Sequence, residues 1–172
     1  MKKLFTIVLS IALLSTLLLG ITGCGNSSSG GGKNVEGTTE ELLQKIYDGV
    51  DKSITLPFVM NVPLTENMGA SGGSGIKYYL GVEGIPFKEG IASEAAIGGA
   101  YSVCLIRLNS GADVEKVKKD IKDNVDPSKW ICYTADTVIV DNIGDLVILI
   151  MTNEKNMPGM AKAIHDSFKK LS

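Results

Sequence analysis

The chain has 172 residues, with 17 basic and 19 acidic side chains, one histidine and a net charge of −2. This balance offers no basic surface for nucleic acid. The length suits one domain with a sizeable core and is too short for the two-lobed binding proteins of transporters. One histidine and three cysteines make no zinc set.

Residues 1–23 open with Lys2 and Lys3, continue through the apolar run Leu4 to Leu19, and end in small residues. That is the pattern of a secretory signal, too short for a comfortable membrane span. The segment Ile21-Thr22-Gly23-Cys24 resembles the bacterial lipobox, at which a diacylglyceryl group is attached to the cysteine before the signal is cut. Cys24 then becomes the first residue of the mature protein and its membrane anchor. Two acyl chains, at about 0.8 kcal/mol per buried CH₂, hold a protein on a bilayer far better than one. Cleavage leaves 15 basic against 19 acidic residues, a net charge of −4. The expected location is the extracytoplasmic face of a bacterial membrane. Gly25, standing where an aspartate would favour inner-membrane retention, leaves a Gram-positive membrane or an outer membrane open. Residues 24–37, rich in Gly and Ser, read as a flexible tether with a reach of about 20 Å.

The domain is expected over residues 38–172. Thr38-Thr39-Glu40-Glu41 is a capping box ahead of Leu42, Leu43, Ile46, Tyr47 and Val50 at helical spacing, which predicts a helix over Thr39 to Asp51. Ile54 to Pro86 reads as an irregular insert: Pro57 and Pro63 deny Ile54 to Leu64 a central strand position, and a glycine-rich loop follows. Ile76 to Val82 is a short helix or strand.

Lys88 to Ile97 and Tyr101 to Leu108 predict two strands around Gly98-Gly99. Asp113 to Asn124 is an amphipathic helix with Val114, Val117 and Ile121 on one face. Asp126-Pro127-Ser128 is a turn, Ile131 to Val140 a broken strand, Asn142 to Asp145 a hairpin turn, and Leu146 to Met151 a continuous apolar strand. Pro158 opens a last helix with the stripe Met160, Ala161, Ile164, Phe168 and Leu171. The two strand-helix halves echo each other at a spacing of about 44 residues, which common mechanics explains as well as duplication does. The expected fold is α+β: one antiparallel sheet of about four strands, ordered hairpin-helix-hairpin-helix, with helices on one face.

Five segments resemble a family of small lipoproteins from Gram-positive, clostridial-type anaerobes classed as a domain of unknown function. They are Tyr78 to Gly81, Glu89 to Glu94, Tyr101 to Leu108, the Asp-Pro-Ser-Lys-Trp turn of Asp126 to Trp130, and Val138 to Asp145. The resemblance implies a lipid-anchored α+β domain and brings no mechanism with it.

Gly69-Ala70-Ser71-Gly72-Gly73 is a formal G-x-S-x-G, and Asp136, Asp141 or Asp145 with His165 would complete a Ser-Asp-His order. A nucleophile elbow needs an apolar strand before it and a helix after it, and neither is legible here. His165, one position off its helix stripe, reads as a half-exposed surface residue. Cys104 and Cys132 could pair outside the cell, but both lie in apolar runs typical of buried thiols, and pairing depends on a Cα separation that spacing does not supply. No phosphate loop, metal set or cofactor motif is present. Trp130 reads as a core plug under the Asp113 helix, with a contact role beside Tyr133 as the alternative. These readings point to a non-enzymatic module that binds an envelope protein or a small ligand through the insert.

Overall fold

The computed structural model describes residues 34–64 and 75–172. Nine elements follow in chain order: α1 (Thr39–Asp48), β1 (Val59–Leu64), α2 (Ile76–Leu80), β2 (Phe87–Ala95), β3 (Tyr101–Leu108), α3 (Val114–Asn124), β4 (Thr137–Ile143), β5 (Leu146–Thr152) and α4 (Met160–Lys169). The strands form one antiparallel sheet in the order β1-β2-β3-β5-β4, an α+β architecture.

The sheet has five strands rather than four, because the first segment of the insert pairs with β2. Pro63 does not prevent this. Ala96 donates to the Phe58 carbonyl (2.8 Å), so alternation along the ladder makes Pro63, opposite Ile91, a position whose backbone nitrogen faces the open edge. The missing N–H costs the sheet nothing, and an edge is where such a proline belongs.

Helices cover both faces, which corrects the one-face expectation. Tyr101, Val103 and Leu105 of β3, with Leu146, Ile148 and Ile150 of β5, pack beneath α1 and α4. The alternate residues Cys104, Ile106, Leu108, Val147, Leu149 and Met151 pack beneath α2 and α3. Successive side chains point to opposite faces of a strand, so a strand buried on both sides must be apolar throughout. The unbroken run of β5 records that three-layer packing.

Local chemistry sets the helix ends. Thr38 donates its N–H to Glu41 Oε2 (2.9 Å) and accepts from the Glu41 N–H (3.2 Å), closing the capping box of α1. The helix stops at Asp48, three residues early, with Gly49 as C-cap. Helix α4 begins after Pro158, with Gly159 as an N-cap lacking a side chain. Glu154 takes over that role, accepting from the N–H groups of Gly159 (2.6 Å) and Ala161 (2.9 Å).

Arg107 clamps the entry of the chain to one end of the sheet. Its guanidinium donates to Glu89 (3.1 Å), Asp145 (2.9 Å) and the Gly37 carbonyl (2.8 Å), and Asn34 accepts from the Asp145 N–H. At 11% side-chain exposure, this fork is a well-desolvated set of charge-assisted bonds.

Candidate functional site

At the opposite end of the sheet, the stretch after α3 does not form the broken strand expected from Ile131; β4 starts only at Thr137. Residues 127–135 make a loop closed at its base. Ala135 donates to the Pro127 carbonyl (2.8 Å), the Ser128 and Thr134 hydroxyls lie 3.3 Å apart, and Ser128 N–H bonds the Asp126 carboxylate. The loop faces two ways. Lys129 and Trp130 turn inward, whereas Ile131, Cys132 and Tyr133 are exposed, Ile131 completely.

The inward Lys129 ammonium, 4% exposed, ion-pairs with Glu94 of β2, itself 15% exposed. It lies 4.5 Å from the ring centre of Tyr78, 5.2 Å from Tyr79 and 5.1 Å from Trp130. Tyr78 and Tyr79, edge to face at 5.1 Å, come from α2; Tyr79 is buried in the core, while Tyr78 covers the ammonium from the solvent side. Each ring face attracts a desolvated cation. The ammonium also reaches the buried Ser102 hydroxyl at 3.4 Å. Ser102 lies 3.6 Å from Cys104 Sγ, and Cys104 donates to the Tyr79 carbonyl. Contacts therefore run in one chain from ammonium to hydroxyl to thiol to carbonyl, the Ser102 oxygen accepting from Lys129.

This electrostatic setting disfavours nucleophilic chemistry at the sulfur. Burial pushes the Cys104 thiol up to about 11, against the lowering influence of Lys129 and Ser102, so it stays protonated and inert at neutral pH. Burial and the nearby Glu94 charge also raise the Tyr78 and Tyr79 phenols. Cys104 and Cys132 are both free, not bridged; Cys104 is buried in β3, as its apolar run suggests, but Cys132 stands exposed at the loop tip. The apolar neighbours of Cys132 misled the expectation that it is buried, since Ile131 beside it is itself in solvent.

An apolar surface surrounds the loop. Phe58 is 77% exposed, Ile97 80%, Met60 58% and Tyr133 43%. The Phe58 carbonyl bonds Ala96 beside Ile97, the Tyr133 hydroxyl abuts Gly98, and Met60 stands opposite Glu94. Gly98 (φ +40) and Gly99 (φ +139) form the β2–β3 connection there. These neighbours make one apolar pole, contributed by the insert, the β2–β3 connection and the 127–135 loop. It lies about 20 Å along β3 from Arg107.

The other anticipated residues fall elsewhere. Cys24 and Ser71 lie outside the described residues, as do the signal and the start of the tether. His165 Nε2 is 2.7 Å from Asp141 Oδ2, so the structure does join the acid and histidine of the Ser-Asp-His order. Lys169 occupies the same oxygen at 3.0 Å. Burial opposes ionisation of Asp141, but the bonds from His165, Lys169 and the Asn142 N–H outweigh it and hold the carboxyl at about 2. Asp136 caps Glu154 N–H, and Asp145 belongs to the Arg107 clamp. Trp130 is half-buried against the core beneath α2 and α3.

A groove of about 550 Å³ between α3 and residues 81–86 is lined by Lys77, Glu83, Asp113, Lys116 and Asp120. Two of these, Lys116 and Asp120, are already paired with each other. Among the described residues no three His, Cys, Asp or Glu side chains converge as a metal site, and no helix is long and apolar enough to cross a membrane. Compared with protein-family models, curated proteins and solved structures, the chain gives no match.

Proposed function

We propose that this protein is a non-enzymatic binding module, lipid-anchored through Cys24 on the extracytoplasmic face of a bacterial membrane, that engages an envelope protein through its apolar pole. The observation that carries the reading is polarity along the strands. The chain enters at the Arg107 end, where Asn34 and Gly37 are bonded. Phe58, Ile97, Ile131 and Tyr133 stand exposed at the other end. Ten Cα–Cα steps separate Cys24 from Asn34, about 35 Å when fully extended. An anchor at Cys24 therefore enters the domain at its clamped end, and a tether of this reach leaves the apolar pole free to face outward, toward proteins. Exposed aromatic and aliphatic side chains gathered in one patch are the usual core of such a contact.

Four of the five segments that carry the family resemblance meet at the caged lysine: Tyr78 and Tyr79, Glu94, Ser102, and Lys129 with Trp130. That convergence supports the loop and its cage as the working part of the domain.

The test has two arms. Mass spectrometry of the membrane-extracted protein should find an N-terminal Cys24 carrying diacylglyceryl, and Cys24→Ser should release the domain from membranes. Charging the pole with Phe58→Glu and Ile131→Glu should abolish the interaction without changing the melting temperature.

The Asp141–His165 contact favours one second reading, a hydrolase using Ser71 and His165. Against it stand the lysine on the same carboxylate and the distance across the sheet. Leu64, from which the Ser71 segment departs, lies on β1, and Asp141 on β4 at the opposite edge, four strand spacings or about 19 Å away. A serine-reactive phosphonate that labels the protein at Ser71 would establish the hydrolase; an unlabelled protein would end it.

A further inference from the structure

The Lys129 ammonium occupies a socket that is complete, apart from Trp130, without the loop that carries it. Two rings come from α2, the carboxylate from β2 and the hydroxyl from β3. Vacating the socket would leave Glu94 desolvated against aromatic rings without a counter-charge, an unfavourable state. The socket therefore exchanges one cation for another more readily than it stands empty. The loop is fitted for such an exchange, since its base is closed by its own bonds, its tip residues Ile131 and Cys132 are exposed, and the Asn153 side chain, bonded to the Thr134 carbonyl, holds its end while the tip lifts.

We propose that Tyr78, Tyr79, Glu94 and Ser102 form a recognition site for a primary alkylammonium group. Lys129 is its built-in occupant, which a ligand of the same chemistry displaces by lifting the 127–135 loop. The acceptor set fixes the class. Glu94 and Ser102 each take an N–H, so a quaternary ammonium, which has none, satisfies only the rings. A guanidinium is planar and wider and stacks flat on one ring face, so it does not take the place of a compact ammonium held among two rings, a carboxylate and a hydroxyl. The stem must be short and unbranched, because it replaces the lysine methylenes. This inference stands apart from the contact surface proposed above, since a small amine alone tests it.

Lys129→Ala in the full chain removes the atoms from Cγ to Nζ, and n-propylammonium supplies them back. Titration followed by Trp130 fluorescence should give saturable binding in the low millimolar range and move the urea midpoint of the variant back toward wild type. Tetramethylammonium and sodium chloride at equal ionic strength should do neither. Wild type should need about tenfold or more higher amine, because the tethered Lys129 competes at millimolar or greater effective concentration. A linear response, or one matched by tetramethylammonium or retained in Lys129→Ala/Glu94→Gln, overturns the proposal. Should Lys129→Ala fail to fold, amide hydrogen exchange of wild type gives the answer. Faster exchange across residues 128–134 with n-propylammonium than with sodium chloride supports displacement, and identical exchange refutes it.

Discussion

Replacing Glu94 by glutamine keeps the shape of the socket and removes its only charge, leaving a 4%-exposed ammonium with three rings and one hydroxyl. Stranding one member of a buried pair costs about 3–5 kcal/mol. The rings and Ser102 still stabilise the cation, so about 3 kcal/mol is expected. Lys129→Met retains most of the stem and strands Glu94, which is less buried than the ammonium, for about 2 kcal/mol. With both changes no charge remains desolvated, and the loss should stay near 2 kcal/mol. The implied coupling is about 3 kcal/mol, at the upper end for residues in contact. Urea denaturation measures all four proteins. Fluorescence of the single tryptophan reports the cage, and far-ultraviolet circular dichroism reports the fold. Additive losses, with coupling under about 0.5 kcal/mol, would refute the buried pair and the electrostatic argument built on it.

A thiol reagent applied to the native protein, with labelled sites mapped by mass spectrometry, should modify Cys132 quickly and Cys104 only in denaturant. Gly81 has φ +76, and a Cβ there would stand 2.3 Å from the Asn124 carbonyl oxygen. Gly81→Ala should therefore cost about 3 kcal/mol in urea melts by forcing α2 off α3. Asp141, held at about 2 against its ordinary 3.8, contributes stability that is fully present above pH 4 and is lost as pH falls through about 2. Since the carboxylate is a quarter exposed, solvent screening limits the contribution to about 1 kcal/mol. The stability gap between wild type and Asp141→Asn should shrink between pH 7 and pH 2.5, and a constant gap would contradict the assignment.

Helices and central strands were legible because one periodicity governed each. The stripe of α4 and the Thr38 capping box describe their own packing. The fifth strand was hidden by Pro63, whose rule against central strands says nothing against an edge with its nitrogen turned outward. The second helical layer was legible in principle, because β5 is apolar from Leu146 to Met151 and β3 from Val103 to Ile106, a pattern that requires cover on both faces. The cage could not be read from the sequence. Tyr78, Glu94, Ser102 and Lys129 are spread over 52 positions, and no spacing joins them until α2 folds over β2 and β3. An ion pair inside an aromatic box also resembles nothing in a linear motif, since its lysine reads as one solvated charge in a turn. Ile131 misled in the opposite direction, because an isoleucine beside tryptophan and cysteine looks like core.

The contact surface is tested most directly by a photo-crosslinking amino acid placed in the intact lipoprotein in its native membrane, at Ile131 in one strain and at Asp123 on the exposed face of α3 in another. The account predicts a discrete adduct to an envelope protein from position 131, absent from position 123 and lost when Phe58→Glu is added. Equal adducts from both positions, or adducts to lipid from position 131, would contradict an outward-facing protein-binding pole.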